Sequence, residues 1–367
     1  MRSLFDYLEE RRLIMISGKG GTGKTTTASA IAIELAERGY KTAVISLDPA
    51  HSLGDSLMME IGPELKKVEG VNGKLYAMEF DPKLLFEHER EKLRKAIESD
   101  QSETLGAPIP DEMFDLLLDT NYMPIEFAEG IGFLRLLDGL MESDFDKIVF
   151  DTAPTGHTLK LLELPEYLDS FVGKLIRFQL RVSSIFSSVK RFFGFGPEID
   201  TAKETLKALD ELKEKISKAK KVLMDEKESE FIVITLPLAM SIFESARLIG
   251  ELDAYGIPNH FVVINMVRIY SGDCTFCENL SKMHMRYLKE IIELFKDKNM
   301  RVVPFFSREI RGIEVIKEIM KYLKDFTPED ALDAINSGIT IDYRNGKFLT
   351  KLKNNIRFLV NFGSILW

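Results

Sequence analysis

Residues Leu13–Thr25 read LIMISGKGGTGKT: an apolar run, then four glycines and two lysines within eight residues. That order decides the fold. A short aliphatic run suits a buried strand. Gly18, Gly20, Gly21 and Gly23 then let the backbone bend sharply and turn its N–H groups inward. A helix expected from near Lys24 adds its positive end, so the loop is built to hold phosphate. The pattern is that of a P-loop. Within it Lys24 is expected to reach the β- and γ-phosphates of ATP, and the Thr25 hydroxyl to hold Mg²⁺, with Thr22 and Thr26 completing the nucleotide-binding run.

Outward from this motif, similar apolar runs recur at Thr42–Leu47, Lys147–Phe150, Phe231–Leu236, Phe261–Ile264 and Arg301–Val303. They are continuous rather than alternating, as in parallel strands covered on both faces. Helical patterns fall between most of them. The predicted fold is α/β, a doubly wound, mostly parallel sheet. Two gaps are too long for simple crossovers. The reading therefore assigns 1–80, 143–160 and 222–330 to a P-loop domain, and 81–142 with 161–221 to an inserted helical subdomain. Residues 331–367 form a C-terminal extension. Just before it Thr327-Pro328 predicts a helix start, and within it Ile339–Arg344, Asn345-Gly346 and Lys347–Leu352 predict a hairpin with a two-residue turn.

The chain has 367 residues and a net charge of −9, which argues against a wide nucleic-acid surface. Met1–Arg12 does not read as a signal peptide, and no run approaches a membrane span. Two cysteines are too few for a disulfide framework. These features predict a cytoplasmic protein.

Other polar residues cluster at strand ends, the edge where such sheets bind ligands. Asp48-Pro49-Ala50-His51-Ser52-Leu53-Gly54-Asp55 follows one strand, and Asp151-Thr152-Ala153-Pro154-Thr155-Gly156-His157-Thr158 another. Asp151 and Asp48 are candidate Mg²⁺ residues, acting through water. Asp55 is placed to orient or deprotonate an attacking water. Such acids also serve as loop caps. Lys19, inside the loop, is either a solvated lysine or a second cation at the γ-phosphate, supplied from a partner subunit. Lys19, Lys24 and Asp55 are the candidate catalytic residues.

GKGGTGKT, DPAHSLGD and DTAPTGHTLK together resemble the ATPases that include the guided-entry targeting factor for tail-anchored membrane proteins and the arsenite-pump ATPase. The resemblance covers most of Leu13–Asp325. It implies that Lys19 contacts nucleotide across a homodimer, that Asp55 activates water, and that Asp151–Thr158 is a second switch. It also implies that Asn265 reads adenine and that Pro304–Gly312, including Phe305, closes over the base. Departures are Leu238 where many relatives have Glu, Leu280 and His284 after the cysteine pair, and Gly54 where Ser is more usual.

Cys274 and Cys277 form a CxxC that offers half a tetrahedral Zn²⁺ site. Two copies on a two-fold axis would complete it, as the resemblance implies. A redox pair or two inert thiols are the alternatives. In the second insertion Phe171, Leu175, Phe178, Val182, Ile185, Phe186, Val189 and Phe193 recur at spacings of three and four. They make an apolar stripe on a helix of about 30 residues. Helix packing explains any one of them. The set as a whole suits a groove that shields the transmembrane segment of a client. The preferred reading is a homodimeric targeting ATPase that meets the membrane transiently, with a membrane receptor as a further partner. An arsenite-pump subunit and a partitioning or positioning ATPase are the alternatives. Ile356–Trp367 is apolar, and Phe358, Leu359, Phe362, Ile365 and Leu366 would share one face of a helix.

Overall fold

The computed structural model describes residues 3–48, 52–80, 125–152, 214–270 and 274–337, and three short strands beyond them. The expected client stripe, Phe171–Phe193, lies outside the described residues, as do the second switch loop beyond Thr152 and the segment 49–51.

The chain forms two compact units. One comprises Met1–Phe80, Asp144–Thr155 and Leu223–Trp367, the other Asp81–Ser143 and Gly156–Val222. The first unit is built on a sheet. Its strands are β1 (Leu13–Gly18), β2 (Thr42–Ser46), β3 (Lys66–Lys67), β4 (Leu75–Glu79), β5 (Lys147–Asp151), β6 (Ser229–Thr235), β7 (Phe261–Val267) and β8 (Asn299–Pro304). The order across the eight-stranded sheet is β3-β4-β2-β5-β1-β6-β7-β8. All neighbours are parallel except β3 and β4. Every residue of β1, β2, β5 and β6 is buried, which explains why these strands read as unbroken apolar runs. The sheet thus has the predicted doubly wound, mostly parallel form. Strand β4 is absent from the sequence reading, because LYAME is short and mixed in character.

Helices cover the sheet. α1 (Leu4–Leu8) precedes β1, α2 (Lys24–Glu37) follows the P-loop, and α3 (Ser52–Leu57) follows β2. α1 buries Leu4, Phe5 and Leu8, and its trailing carbonyls are held from the sheet. The buried Lys147 donates from Nζ to the carbonyls of Leu8 (3.3 Å), Glu9 and Arg11 (2.7 Å). A cation at a helix C-terminus meets both the orphan carbonyls and the negative end of the dipole.

In the second unit α4 (Ile125–Met141) buries Phe133, Leu134, Leu137 and Leu140, a helical repeat. Lys215, on the helical stretch 214–224, pairs with Asp138 of α4 at 2.8 Å.

Back in the first unit, α5 (Ala239–Ala254) follows β6, α6 (Thr275–Leu294) follows β7, and α7 (Ile313–Asp325) follows β8. α7 buries Ile316, Ile319, Met320 and Leu323, one face of a helix. α8 (Pro328–Asn336) starts as expected, with Pro328 in its first turn. Thr327 and Asp330 exchange side-chain and backbone bonds in a capping box. The predicted hairpin follows, β9 (Thr340–Arg344) against β10 (Lys347–Lys351), with Arg344 opposite Lys347. One expectation is corrected. Phe358 and Leu359 would share one face of a helical tail, but Arg357–Leu359 forms a third antiparallel strand, β11, on β10. Leu349 lies opposite Leu359 there. Backbone pairing to a free strand edge outweighs the helical periodicity of a short segment.

Candidate nucleotide site

The loop between β1 and α2 has the conformation its glycines permit. Gly18 has φ of 152° and a Cβ there would lie 2.5 Å from the Ile234 carbonyl oxygen. Gly23 has φ of 89°, and a Cβ there would lie 2.3 Å from Asn265 Nδ2. Both positions are closed to other residues by neighbouring atoms as well as by φ. Inside the loop the Thr22 hydroxyl donates to the Lys19 carbonyl at 2.8 Å. Asn265 Nδ2 donates to the Thr22 carbonyl at 2.8 Å, and its Oδ1 accepts from Met266 N at 2.9 Å. Asn265 therefore braces the loop from β7 and retains one amide hydrogen. Met266 takes φ of 57° at the irregularity between Ile264 and Val267. The bulge re-aims the strand beside the site.

A cavity of about 600 Å³ opens here. Gly21, Gly23, Lys24, Thr25, Thr26, Asp48, Asp55, Asn265, Pro304 and Phe305 all line it. Residues expected from four separated stretches thus share one space. Gly18, Gly20, Thr22 and Lys19 are not among the lining residues.

Below the cavity sits a buried polar cluster. Thr25 Oγ1 donates to Asp151 Oδ2 at 2.6 Å and lies 2.9 Å from Ser52 Oγ. Ser46 Oγ donates to the same carboxylate oxygen at 3.3 Å. The other oxygen, Asp151 Oδ1, is buried and has no hydrogen-bond partner among the described residues. Burial pushes the Asp151 carboxyl up to about 6, against the Thr25 bond and the Lys24 charge, which pull it down. Lys24 is buried too, and burial lowers its ammonium's pKa, opposed by Asp151 and Asp48. Its Nζ donates to the Lys19 carbonyl at 3.4 Å. A buried carboxylate oxygen without a partner, beside two hydroxyls and a second acid, suits a hard cation with oxygen ligands.

The two remaining candidate catalytic groups are ion-paired. Lys19 Nζ lies 2.8 Å from Glu244 Oε1 of α5. Asp55 is exposed on α3, with Arg311 Nη2 3.6 Å from its Oδ1 and Arg311 Nε donating to its carbonyl at 3.2 Å. Gly54, one residue earlier, donates its N–H to Glu79 Oε1 at 2.8 Å. A Cβ at Gly54 would lie 2.9 Å from the Met59 carbonyl oxygen, so this chain has no room there for the more usual Ser.

Sequence reasoning missed Ser46, Ser52, Glu79 and Glu244. Ser52 stands inside the quoted DPAHSLGD, so the signal was present. Glu244 and Glu79 are brought in by the fold from a helix and a strand with no motif.

Cys274 and Cys277 lie at the start of α6, away from the cavity lining. Cys274 Sγ accepts from Cys277 N at 3.3 Å as the helix cap, and this bond draws the Cys274 thiol pKa down. Cys277 Sγ accepts from Arg268 Nη2 at 3.3 Å. Among the described residues no group of three or more His, Cys, Asp or Glu could hold a metal.

A family model described as anion-transporting ATPase matches residues 11–325. The chain is 32% identical over 325 residues to ATPase ASNA1 homolog 1 of Paramecium tetraurelia, covering 88% of this chain and 95% of that protein. It is 33% identical over 320 residues to ATPase GET3C of Arabidopsis thaliana, covering 84% and 81%. It is 31% identical over 331 residues to ATPase GET3 of Podospora anserina, covering 89% and 95%.

Proposed function

Since this chain belongs to the anion-transporting ATPase family and is an ATP hydrolase, we propose that it is a homodimeric, Mg²⁺-dependent carrier whose ATP cycle captures and targets tail-anchored membrane proteins. The observation that carries the chemistry is the buried Asp151 Oδ1, unpartnered among the described residues, on a carboxylate that accepts from the Thr25 hydroxyl. The targeting role rests on the resemblance of its three motifs to the guided-entry ATPases. It also rests on length, since the alignment spans 95% of two relatives named for ASNA1 and GET3.

Phosphoryl transfer asks the protein for positioning and for charge at the equatorial oxygens. The inward backbone N–H groups and Lys24 bind the phosphate chain. Thr25, Asp151 and Asp48 would hold Mg²⁺, which neutralises phosphate charge when bound. Asp55 orients the attacking water from the cavity rim. The remaining Asn265 amide hydrogen meets the base, which Pro304 and Phe305 flank. Lys19 leaves Glu244 to reach the γ-phosphate held by a second copy.

Such a second copy has a surface to meet. Met240 and Phe243, on the helix that carries Glu244, are 64% and 65% exposed. Cys274 and Cys277 of two copies would together supply the four thiolates of a zinc site. Hydrophobic transmembrane segments would lie along Phe171, Phe178, Phe186 and their neighbours, and a receptor at the membrane would accept the client.

The test is capture of a single-span transmembrane peptide by the Mg²⁺·ATP-bound protein. Phe178→Asp with Phe186→Asp should abolish capture while ATP hydrolysis persists. Unchanged capture by this folded variant would remove the stripe from client binding. An arsenite-pump subunit is the second reading, favoured by the family's description. Against it stands the supply of only two thiols, where As(III) favours several soft ligands.

A further inference from the structure

The loop between β8 and α7 is fastened to α3 at two points. Gly312 N–H donates to the Ser56 carbonyl at 2.8 Å. Beside it Arg311 grips Asp55 twice, through Nε to the carbonyl at 3.2 Å and through Nη2 to Oδ1 at 3.6 Å. Arg311 Nη1 also lies 3.9 Å from Glu309 Oε2 of its own loop. Gly312 can approach so closely because it has φ of 82° and no side chain; a Cβ would lie 3.1 Å from Met58 Sδ. The same cavity is lined by Pro304 and Phe305 at one end of this loop, by Arg311 at the other, and by Asp55. A single loop of about eight residues therefore joins the wall assigned to the base with the carboxylate assigned to the water.

We propose that Arg311 is a positioning residue that makes hydrolysis depend on the base: it holds Asp55 away from the water until a base fills the slot at Pro304–Phe305 and draws the loop off α3. This rests on the reading of Asp55 and of the base slot given above.

A guanidinium facing a carboxylate occupies the oxygen that would otherwise accept from water. The pair is solvent-exposed, so the restraint is small and reversible, as a gate requires. The loop is short, so a shift at Phe305 is passed to Arg311 rather than absorbed by slack chain. Nothing in the contact selects adenine over another base. The restraint senses whether a base is present.

Inorganic triphosphate isolates the effect, since it has the reacting groups and no base. With either substrate, the oxygen of water bonds the terminal phosphorus and the bridging P–O bond breaks. Pyrophosphate or ADP leaves with the bridging oxygen, and the proton from water passes to solvent by way of the phosphate product. The measurement is kcat at saturating Mg²⁺·ATP and at saturating Mg²⁺·triphosphate, for the wild type, Arg311→Ala, Arg311→Lys, Asp55→Asn and Arg311→Ala with Asp55→Asn. In the wild type kcat for ATP exceeds that for triphosphate. Arg311→Ala lowers this kcat ratio on the order of fivefold, the scale set by an exposed ion pair, chiefly by raising the triphosphate rate. Arg311→Lys, which keeps a charge but not the fork, lies between. Adding Asp55→Asn removes the gain. A ratio unchanged in Arg311→Ala, two rates that fall together, or a gain that survives Asp55→Asn would each overturn the inference. Wild-type ATP turnover in Asp55→Asn alone would instead overturn the reading of Asp55 on which it rests, so the two failures are distinct.

Discussion

Replacing Asp151 by Asn should stabilise the nucleotide-free, metal-free protein, and should do so only above acidic pH. The carboxyl's folded pKa of about 6 stands above the unfolded value of 3.8 because the group is buried with one oxygen unpartnered. Between those values the unfolded chain has lost the proton and the folded chain retains it, so stability falls as pH rises through this window. A displacement of about two units, at about 1.4 kcal/mol each, costs the wild type about 3 kcal/mol by pH 7. Asn is nearly isosteric, still accepts from Thr25, and carries no charge to desolvate. The variant should therefore match the wild type near pH 4 and exceed it by about 3 kcal/mol at pH 8. That corresponds to roughly 6–12 °C in melting temperature for a unit of this size. The assay is thermal melting with a chelator present from pH 4 to pH 8, repeated with millimolar Mg²⁺. Added Mg²⁺ should close the gap by raising the wild type alone, and ATP turnover should be lost in the variant. If Asp151→Asn melts at or below the wild type at pH 8 with chelator, the strained-carboxylate argument is wrong.

Other substitutions probe separate parts of the molecule. Gly23→Ala forces a Cβ to within 2.3 Å of Asn265 Nδ2 at φ of 89°, so nucleotide binding measured by calorimetry should weaken at least tenfold while the fold persists. Lys147→Met should lower stability by about 1–3 kcal/mol in chemical denaturation, because the Glu9 and Arg11 carbonyls after α1 lose the Lys147 donor, while Leu8 keeps the Arg11 N–H. Metal analysis should find one zinc for every two chains, and Cys277→Ser should yield a metal-free monomer in sedimentation. A Cys277→Ser protein that stays dimeric without zinc would separate assembly from the metal.

The P-loop and most of the large sheet were legible in the sequence because both depend on local rules. Glycines at Gly18, Gly21 and Gly23 answer to backbone sterics, and the runs that became β1, β2, β5, β6, β7 and β8 answer to burial on two faces. The capping box at Thr327 and the hairpin register at Arg344–Lys347 are equally local. Tertiary structure decided what those elements face. β4 forms because β2 offers an edge, although LYAME has little strand character. β11 forms because β10 offers another, against the helical spacing of Phe358, Leu359 and Phe362. The ion pairs of Lys19 with Glu244 and of Arg311 with Asp55 join residues 225 and 256 positions apart, a separation over which no sequence spacing carries meaning. The same holds for Asp151. Its place at a strand end was readable from the sequence, but the bonds that Thr25 and Ser46 donate to one of its oxygens exist only because β5 is folded between β1 and β2.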